Sequence, residues 1–467
     1  MMINIEQQAA SELSEEQLTK INKIVVDLAK RLESSEIVEE NIRQWKQSDG
    51  ESVDNVESII SKELNIYLGL GLSGGMAGYC LLFGELDRFS PDDGWDLIGH
   101  QYMVQIQQKV QEQGISTFSL YSGLAGVGMA AFALSRQGTR YTSLITTVHN
   151  HIVANLPSFI KYLTNKLNQN DIKMNDYDAI EGAAGLGRYL LLYKEKPDIK
   201  EALEKVIQYV IRLSEFKEVN GKIVPGWHIR SENLFLASER EKFKNGNFNV
   251  GLAHGIPGPL AFLVLAKKEG IEVKGQVEAI ERIVNWLLEW QREDEFGPIW
   301  PLTVSWEELI DGKLSKNNTY HREAWCYGSP GVARTIWLAG DVLERKSWKE
   351  LAIESFKATF SRPMNQWHIN TPNFCHGYIG LLQIAHRMYL DTRNNEILEG
   401  RNRLIDLVLD MYNPEFPFGY YDIRPWEGEE TLIHNPGLLE GATGSALVLL
   451  SLINQNNSNW DSMFLIS

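Results

Sequence analysis

Two of the three cysteines in this 467-residue chain occupy the same place in a repeated glycine motif. Cys326 stands two residues before the first glycine of one Gly-x-x-Gly unit, and Cys375 stands two residues before the first glycine of another. His376 follows the second cysteine directly. Three protein ligands with an open fourth position are typical of catalytic zinc. We therefore predict a zinc site formed by Cys326, Cys375 and His376. The alternative is that both cysteines are small buried side chains.

The ligand types also indicate what such a site would do. Zinc ionises a coordinating thiol, and two protein thiolates cancel the charge of the metal. A third thiolate, supplied by a substrate, would remain electron-rich and able to attack. Sites with histidine and water ligands instead generate a zinc hydroxide. The pattern favours thiol alkylation over hydrolysis. The third cysteine, Cys80, lies in an apolar stretch and is expected to be a packing residue.

Further polar residues lie at corresponding places in other units of the repeat. His254 precedes the fourth unit and is a candidate general acid and base. Asp178, before the third unit, could orient it. Arg322 and Tyr327 flank Cys326 and could stabilise a developing oxyanion. A histidine in such a position is more often a capping or core residue, and the place of His254 in the repeat is what favours a catalytic role.

Seven Gly-x-x-Gly units carry these residues at spacings of 48 to 73 residues, and each is followed by an apolar run with little charge, which is typical of a buried helix. Amphipathic stretches separate them. We expect an all-α fold, an α/α toroid of seven inner and seven outer helices; an open solenoid is the alternative. Closure is favoured because neither end of the run has a polar capping repeat. The units begin at Gly75, Gly123, Gly182, Gly255, Gly328, Gly377 and Gly441.

One region interrupts the repeat on both sides of the fourth unit. Asn220-Gly221 indicates the turn of a β-hairpin, and residues 298–306 are strand-like. We therefore expect one domain, 1–467, with a small β-containing insertion at about 215–248 and 293–321.

Composition excludes several classes of function. The net charge of −16 is dispersed and no basic cluster could neutralise phosphates, so nucleic-acid binding is not expected. No apolar run reaches membrane-spanning length without charge, and the polar stretch Met1–Glu16 does not read as a signal peptide. Three cysteines make no disulfide framework, which favours a reducing cytoplasm.

Four motifs resemble those of the lanthionine synthetase C-like proteins, a family of lantibiotic cyclases. The resemblance runs from about Gly69 to Leu452 and implies an α/α toroid that holds zinc through the three ligands named above. The small extension domain of the bacterial cyclases fits the interruption around the fourth unit. The motifs are Trp-Cys-Tyr-Gly-Ser-Pro-Gly at 325–331, Cys-His-Gly at 375–377, Gly-Leu-Ala-His-Gly at 251–255 and Tyr-Asp-x-x-Glu-Gly at 177–182.

The resemblance also implies a reaction. A cysteine thiolate of a dehydrated precursor peptide adds to dehydroalanine or dehydrobutyrine and closes a lanthionine or methyllanthionine ring. His254 and Asp178 would be the acid–base pair, with Arg322 and Tyr327 supporting the site. Tyr327 stands where animal relatives tend to have histidine, which favours a bacterial peptide cyclase over the animal proteins that add glutathione to dehydrated residues.

The resemblance implies partners as well. The chain looks like the stand-alone cyclase, which works in the cytoplasm with a separate dehydratase and an exporter and associates peripherally with the membrane through them. A protein prenyltransferase would need an aspartate where Ala324 stands. Glutathione addition, and a peptide-binding scaffold with a structural zinc or none, are the remaining alternatives.

Overall fold

A computed structural model describes residues 12–48, 53–318, 320–426, 429–454 and 458–467. Most of the polar N-terminal stretch, residues 1–11, lies outside the described residues.

Helices dominate the part of the chain that the structure describes, so the expected all-α class is confirmed. In chain order they are α1 (Glu15–Lys30), α2 (Ser35–Ser48), α3 (Val53–Tyr67), α4 (Met76–Phe89), α5 (Trp95–Gln113), α6 (Leu124–Ala133), α7 (Thr142–Asn168), α8 (Ala183–Leu191), α9 (Pro197–Ser214), α10 (Ala237–Lys242), α11 (Pro257–Lys268), α12 (Gln276–Glu289), α13 (Trp306–Asp311), α14 (Ser329–Val342), α15 (Lys346–Ser361), α16 (Tyr378–Thr392), α17 (Asn395–Asp410) and α18 (Ala442–Ile453).

The strands are short and form two-stranded antiparallel pairs, β1 with β2, β3 with β6, β4 with β5 and β7 with β8. Their bounds are β1 (Phe216–Val219), β2 (Lys222–Pro225), β3 (Asn247–Asn249), β4 (Arg292–Glu293), β5 (Pro298–Ile299), β6 (Thr303–Ser305), β7 (Asp422–Trp426) and β8 (Glu429–Ile433).

The chain packs as two compact units. The first comprises Met1–Thr117, Tyr121–Val148 and Asn370–Trp460. The second comprises Phe118–Leu120, His149–Ile369 and Asp461–Ser467.

In the first unit, α4, α6, α16 and α18 are buried along most of their length, as their largely apolar sequences predict. Amphipathic helices pack against three of them: α5 against α4, α17 against α16, and α1 against α18. Helix α1 begins with a capping box, in which Ser14 accepts the N–H of Gln17 and the Gln17 side chain accepts the N–H of Ser14.

The second unit repeats this arrangement. The buried helices α8, α11 and α14 pack against the amphipathic helices α9, α12 and α15 respectively. Helix α11 also contacts both α8 and α14, so the three buried helices lie side by side with α11 in the middle.

The repeated glycines allow each buried helix to start against the turn that precedes it. Gly377 and Gly441 are the N-cap residues of α16 and α18, and both have extended backbone. A Cβ at Gly380 would run into the carbonyl of Phe374, and one at Gly444 into the carbonyl of Leu438. A side chain at the second glycine would therefore push each helix off its own turn.

The interrupted region contains strands where they were expected. Asn220 and Gly221 both have positive φ, 50° and 71°, as a tight hairpin turn between β1 and β2 requires. The strand-like stretch 298–306 is only partly extended, because α13 begins at Trp306. The hairpin β7–β8 was not predicted. The assignment of the whole interruption to one insertion stays a prediction.

Candidate metal centre and acid–base pair

The turns before the buried helices are hydrogen-bonded to one another, and this places both cysteines. In the second unit, the N–H of Ala179 donates to the carbonyl of Ala253 at 3.1 Å. The N–H of Ala253 in turn donates to the carbonyl of Cys326 at 3.2 Å. In the first unit, the N–H groups of Phe374 and Cys375 both donate to the carbonyl of Leu439, at 3.1 and 2.8 Å. Each cysteine is thus fixed by its backbone at the start of a buried helix.

A tight loop holds Cys326 at its tip. Glu323 and Gly328 form an antiparallel bridge, and the N–H of Ser329 donates to the carbonyl of Arg322 at 3.2 Å. Gly328 has φ +130°, and a Cβ there would overlap the carbonyl of Arg322. Only glycine satisfies this position without moving the cysteine loop.

A buried ion pair lies directly before that loop. Glu323 and Arg362 are paired with both side chains fully buried. Thr359 donates to the second carboxylate oxygen of Glu323 at 2.8 Å, and Arg362 also reaches Asp294 at 2.6 Å. Burial raises the pKa of Glu323 to about 7, against the opposing charge of Arg362. Removing Arg362 would leave the buried Glu323 carboxyl without its cation, so the pair favours one position for the start of the loop.

Cys326, Cys375 and His376 come together, with one ligand atom of each within 4.8 Å of the others. Cys326 is buried, and the other two residues are half-buried. Zinc holds sulfur ligands at about 2.3 Å and nitrogen ligands at about 2.0 Å, so a small approach of these three atoms would let them share one ion. Two thiols and an imidazole also form a donor set that suits zinc better than the oxygen-preferring metals. The residues present fit the metal predicted from the sequence.

His376 is held by a carboxylate that was not predicted from the sequence. Nε2 of His376 lies 3.3 Å from Asp422, which is fully buried at the start of β7. Asn373 donates to Asp422 at 2.8 Å and accepts the backbone N–H of His376 at 2.9 Å. Burial raises the pKa of Asp422, but the contacts with His376 and Arg424 outweigh it and leave the pKa below its usual value. Such a partner fixes the orientation and tautomer of a metal-binding histidine.

His254 and Asp178 form a hydrogen-bonded pair, with Nδ1 of the imidazole 2.7 Å from the carboxylate. Asp178 is fully buried, and its other oxygen accepts three backbone N–H groups, from Ile180, Glu181 and Gly182. Burial lowers the pKa of His254, but Asp178 and the nearby thiol of Cys326 outweigh it, so the net pKa is raised. The pair can therefore take up and release a proton.

Arg322 and Tyr327 lie with this pair on the lining of one cavity of about 880 Å³. The Tyr327 hydroxyl accepts a hydrogen bond from Asn249 at 2.9 Å, and its ring centroid lies 6.3 Å from that of His254. Burial raises the pKa of Tyr327 well above its ordinary value, so the phenol stays protonated. Arg322 contacts the hydroxyl of Tyr320 at 3.5 Å.

The remaining cysteine has no place in either group. Cys80 is fully buried in α4, and burial raises the pKa of its thiol, as expected of a packing residue.

Glu440, which follows Leu439 in the seventh unit, pairs with Arg424 and lies close to His376 and Asp422.

Comparisons with known proteins identify similar chains. The family model described as lanthionine synthetase C-like protein matches residues 67–465. The curated relative "Nisin biosynthesis protein NisC" of Lactococcus lactis subsp. lactis is 28% identical over 416 residues, spanning 88% of this chain and 90% of the relative. A solved structure of "Nisin cyclase" superposes with a TM-score of 0.73 at 26% identity, covering 88% of this chain and 97% of that one.

The structural likeness confirms the expected fold class, an all-α chain of the α/α-toroid type. The family match covers most of the chain and contains every residue of the two clusters described above. This chain belongs to the family of lanthionine synthetase C-like proteins.

Proposed function

We propose that this protein is a zinc-dependent peptide cyclase that forms lanthionine and methyllanthionine rings in lantibiotic biosynthesis. Its substrate would be a precursor peptide in which serine and threonine residues have already been dehydrated. The relatives named for nisin biosynthesis and nisin cyclisation support this reading. The observation that carries it is the meeting of Cys326, Cys375 and His376.

Zinc bound by these three residues would hold a peptide thiol as a thiolate that can still act as a nucleophile. The protein's own contribution is to orient the ligands. With Nε2 of His376 directed at Asp422, Nδ1 is the nitrogen left for the metal. The hydrogen bond from the backbone N–H of Cys375 to the carbonyl of Leu439 fixes the turn that carries the Cys375 thiol.

The proton of the peptide thiol needs an acceptor, and His254 is suited to that role. Because Nδ1–H donates to Asp178, the ring exposes Nε2 as a base. Taking the proton makes the ring cationic, and Asp178 stabilises that charge. The Asp178 carboxylate cannot rotate freely, since three N–H groups hold its other oxygen.

Ring closure then proceeds without loss or gain of atoms. The sulfur forms a bond to the β-carbon of the dehydrated residue, and the electrons of the C=C bond move to the α-carbon and its carbonyl as an enolate. His254 returns its proton to the α-carbon. Tyr327, kept protonated by burial, and Arg322 could donate hydrogen bonds to the enolate oxygen.

The proposal also includes partners and a location. A separate dehydratase and an exporter are the expected partners, and the cytoplasm is the expected location. Among the described helices, none combines the length and apolarity that a membrane crossing needs.

Ring closure can be tested on a dehydrated precursor peptide, with rings counted by mass spectrometry after treatment with a thiol-blocking reagent. Closure leaves the mass unchanged but removes free thiols. We expect Cys375→Ala to lose zinc and ring closure while keeping the helical circular dichroism of the wild type, because two ligands hold the metal poorly. The matched control is Cys80→Ala, which changes a buried cysteine outside the cluster.

The result that contradicts the assignment is a Cys375→Ala protein that closes rings at the wild-type rate. Wild-type protein that binds the peptide and zinc but closes no ring would favour the scaffold. Coupling of glutathione in preference to the peptide's own cysteine would favour the glutathione-adding alternative.

A further inference from the structure

The cavity that contains the His254–Asp178 pair extends well beyond the reacting groups. Its volume of about 880 Å³ lies near the upper end of the range for small-molecule sites, roughly 300–1,000 Å³. A large share of its lining comes from one segment, Leu234–Phe243, which includes α10. The catalytic roles proposed above use no residue of this segment.

The segment is firmly anchored at both ends. Leu234 and Phe243 are buried, at 2% and 7% exposure. Arg240 donates to the carbonyl of Leu234 at 2.9 Å, and the carbonyl of Arg240 accepts from Ser231 at 3.1 Å. The N–H of Leu236 donates to the Glu239 carboxylate at 3.2 Å. The backbone between the two anchors is therefore held in one shape.

Two apolar side chains project from this rigid backbone. Phe235 is 79% exposed and Leu236 is 51% exposed, and both line the cavity. Keeping an aromatic ring in water beside a cavity is unfavourable unless a ligand covers it, and exposed apolar groups of this kind mark interaction sites. Aromatic side chains are also the residues that most often dominate binding energy.

Charge indicates what kind of group would bind here. Four acidic and four basic residues line the cavity, so its formal charges balance. Such a surface favours neither an anionic nor a cationic ligand strongly. Apolar, uncharged side chains suit Phe235 and Leu236 best, because each would be removed from water on contact.

We propose that Phe235 and Leu236 form a subsite that binds the apolar residues flanking the reacting cysteine of the substrate peptide. This inference rests on the proposed cyclase function. A thiol that reaches His254 necessarily brings its neighbours in the peptide into the same cavity. The subsite selects peptides by the residues beside the cysteine and thereby influences which cysteine reacts.

The test compares Phe235→Ala with Ile223→Ala. Ile223 is 68% exposed on the β1–β2 hairpin and does not line the cavity, so it is a matched loss of exposed apolar surface. Ring closure is measured on two dehydrated peptides, one with leucine and one with aspartate beside the cysteine. Binding is measured separately on the leucine peptide with alanine in place of its cysteine, which cannot react.

We expect Phe235→Ala to raise KM for the leucine peptide about tenfold, which corresponds to about 1.4 kcal/mol, with kcat little changed. Its preference for leucine over aspartate should fall by a similar factor. Zinc content and melting temperature should match wild type, because the side chain is exposed. The alanine-containing peptide should bind more weakly to Phe235→Ala than to Ile223→Ala.

Equal behaviour of Phe235→Ala and Ile223→Ala on both peptides overturns the subsite. An unchanged leucine preference in Phe235→Ala overturns it as well. Failure of the cyclase function itself is a different result, since the wild-type protein would then close no ring on either peptide.

Discussion

At the scale of single residues, the site depends on carboxylates that fix imidazoles. Asp178 holds His254 through Nδ1, and Asp422 lies against Nε2 of His376. The carboxylates thus contact opposite nitrogens of the two imidazole rings. Each carboxylate is fully buried, so neither can turn away to water.

Replacing Asp178 with asparagine tests the first of these contacts. We expect the amide oxygen to keep the three backbone hydrogen bonds, which leaves the NH₂ group facing His254. Nδ1 must then accept, the proton moves to Nε2, and the base is lost. Ring closure should slow by a factor of roughly 10² to 10⁴, the usual contribution of a general base, with zinc content unchanged.

The second readout for Asp178→Asn is the pH–rate profile, whose limb belonging to His254 should shift or vanish. A variant with the wild-type rate and profile would show that the pair has no part in proton transfer.

At the scale of elements, loops in the second unit are joined by a neutral histidine. His228 lies against the carbonyl of Asn245 through Nε2 at 2.9 Å and contacts Asn170 through Nδ1 at 3.4 Å. Burial lowers the pKa of His228 to about 4. The loop that leads from β2 towards the cavity segment is thus held by a group that must stay uncharged.

Acid should weaken this connection. An unfolded histidine has a pKa near 6.5, so between about pH 6.5 and 4 the unfolded chain binds more protons than the folded one, and stability falls as pH falls. For this residue the free energy of unfolding should drop by about 1 kcal/mol between pH 6.5 and 5.5, with a slope that approaches about 1.4 kcal/mol per pH unit below that range. Urea unfolding at pH 6.5, 6.0 and 5.5 should show that drop removed in His228→Gln. His100→Gln, at an exposed position, is the control and should keep the wild-type slope.

Sequence patterns predict some residues of the candidate site and miss others. The repeat directed attention to Cys326, Cys375 and His254, because each stands one or two residues before the first glycine of a Gly-x-x-Gly unit. Asp422 was not predicted, because it belongs to no repeat unit and lies 46 residues from His376 on a hairpin that was itself not predicted. Glu323 lies beside a motif, but its partner Arg362 is 39 residues away, and only packing shows that the pair is buried. Non-local contacts of this kind carry no periodic signal.

At the scale of the whole molecule, residues 461–467 pack in the second unit although the 91 residues before them belong to the first. The indole N–H of Trp325 donates to the carbonyl of Phe464 at 3.0 Å, and their rings meet edge to face. Arg334 of α14 donates to the carbonyl of Ile466 at 2.7 Å. Trp325, the residue immediately before Cys326, therefore packs against the segment 461–467.

Truncation after Trp460 should lower both the melting temperature and the zinc content, because Trp325, beside Cys326, loses its contacts with Phe464. Trp325→Phe keeps a large ring but removes the single hydrogen bond, so its effect should be the smaller of the two. Metal analysis and thermal unfolding of both variants measure this. Full zinc occupancy in the truncated protein would mean that the loop needs no such support.

The distance along the chain between Trp325 and Phe464, 139 residues, also sets an order of events during synthesis. At about 5–20 residues per second, a ribosome needs roughly 7–28 s to reach Phe464 after the tryptophan has been made. Throughout that interval the loop that carries Cys326 lacks its contact with Phe464 in the nascent polypeptide. We therefore expect stable metal binding only after Phe464 has been synthesised.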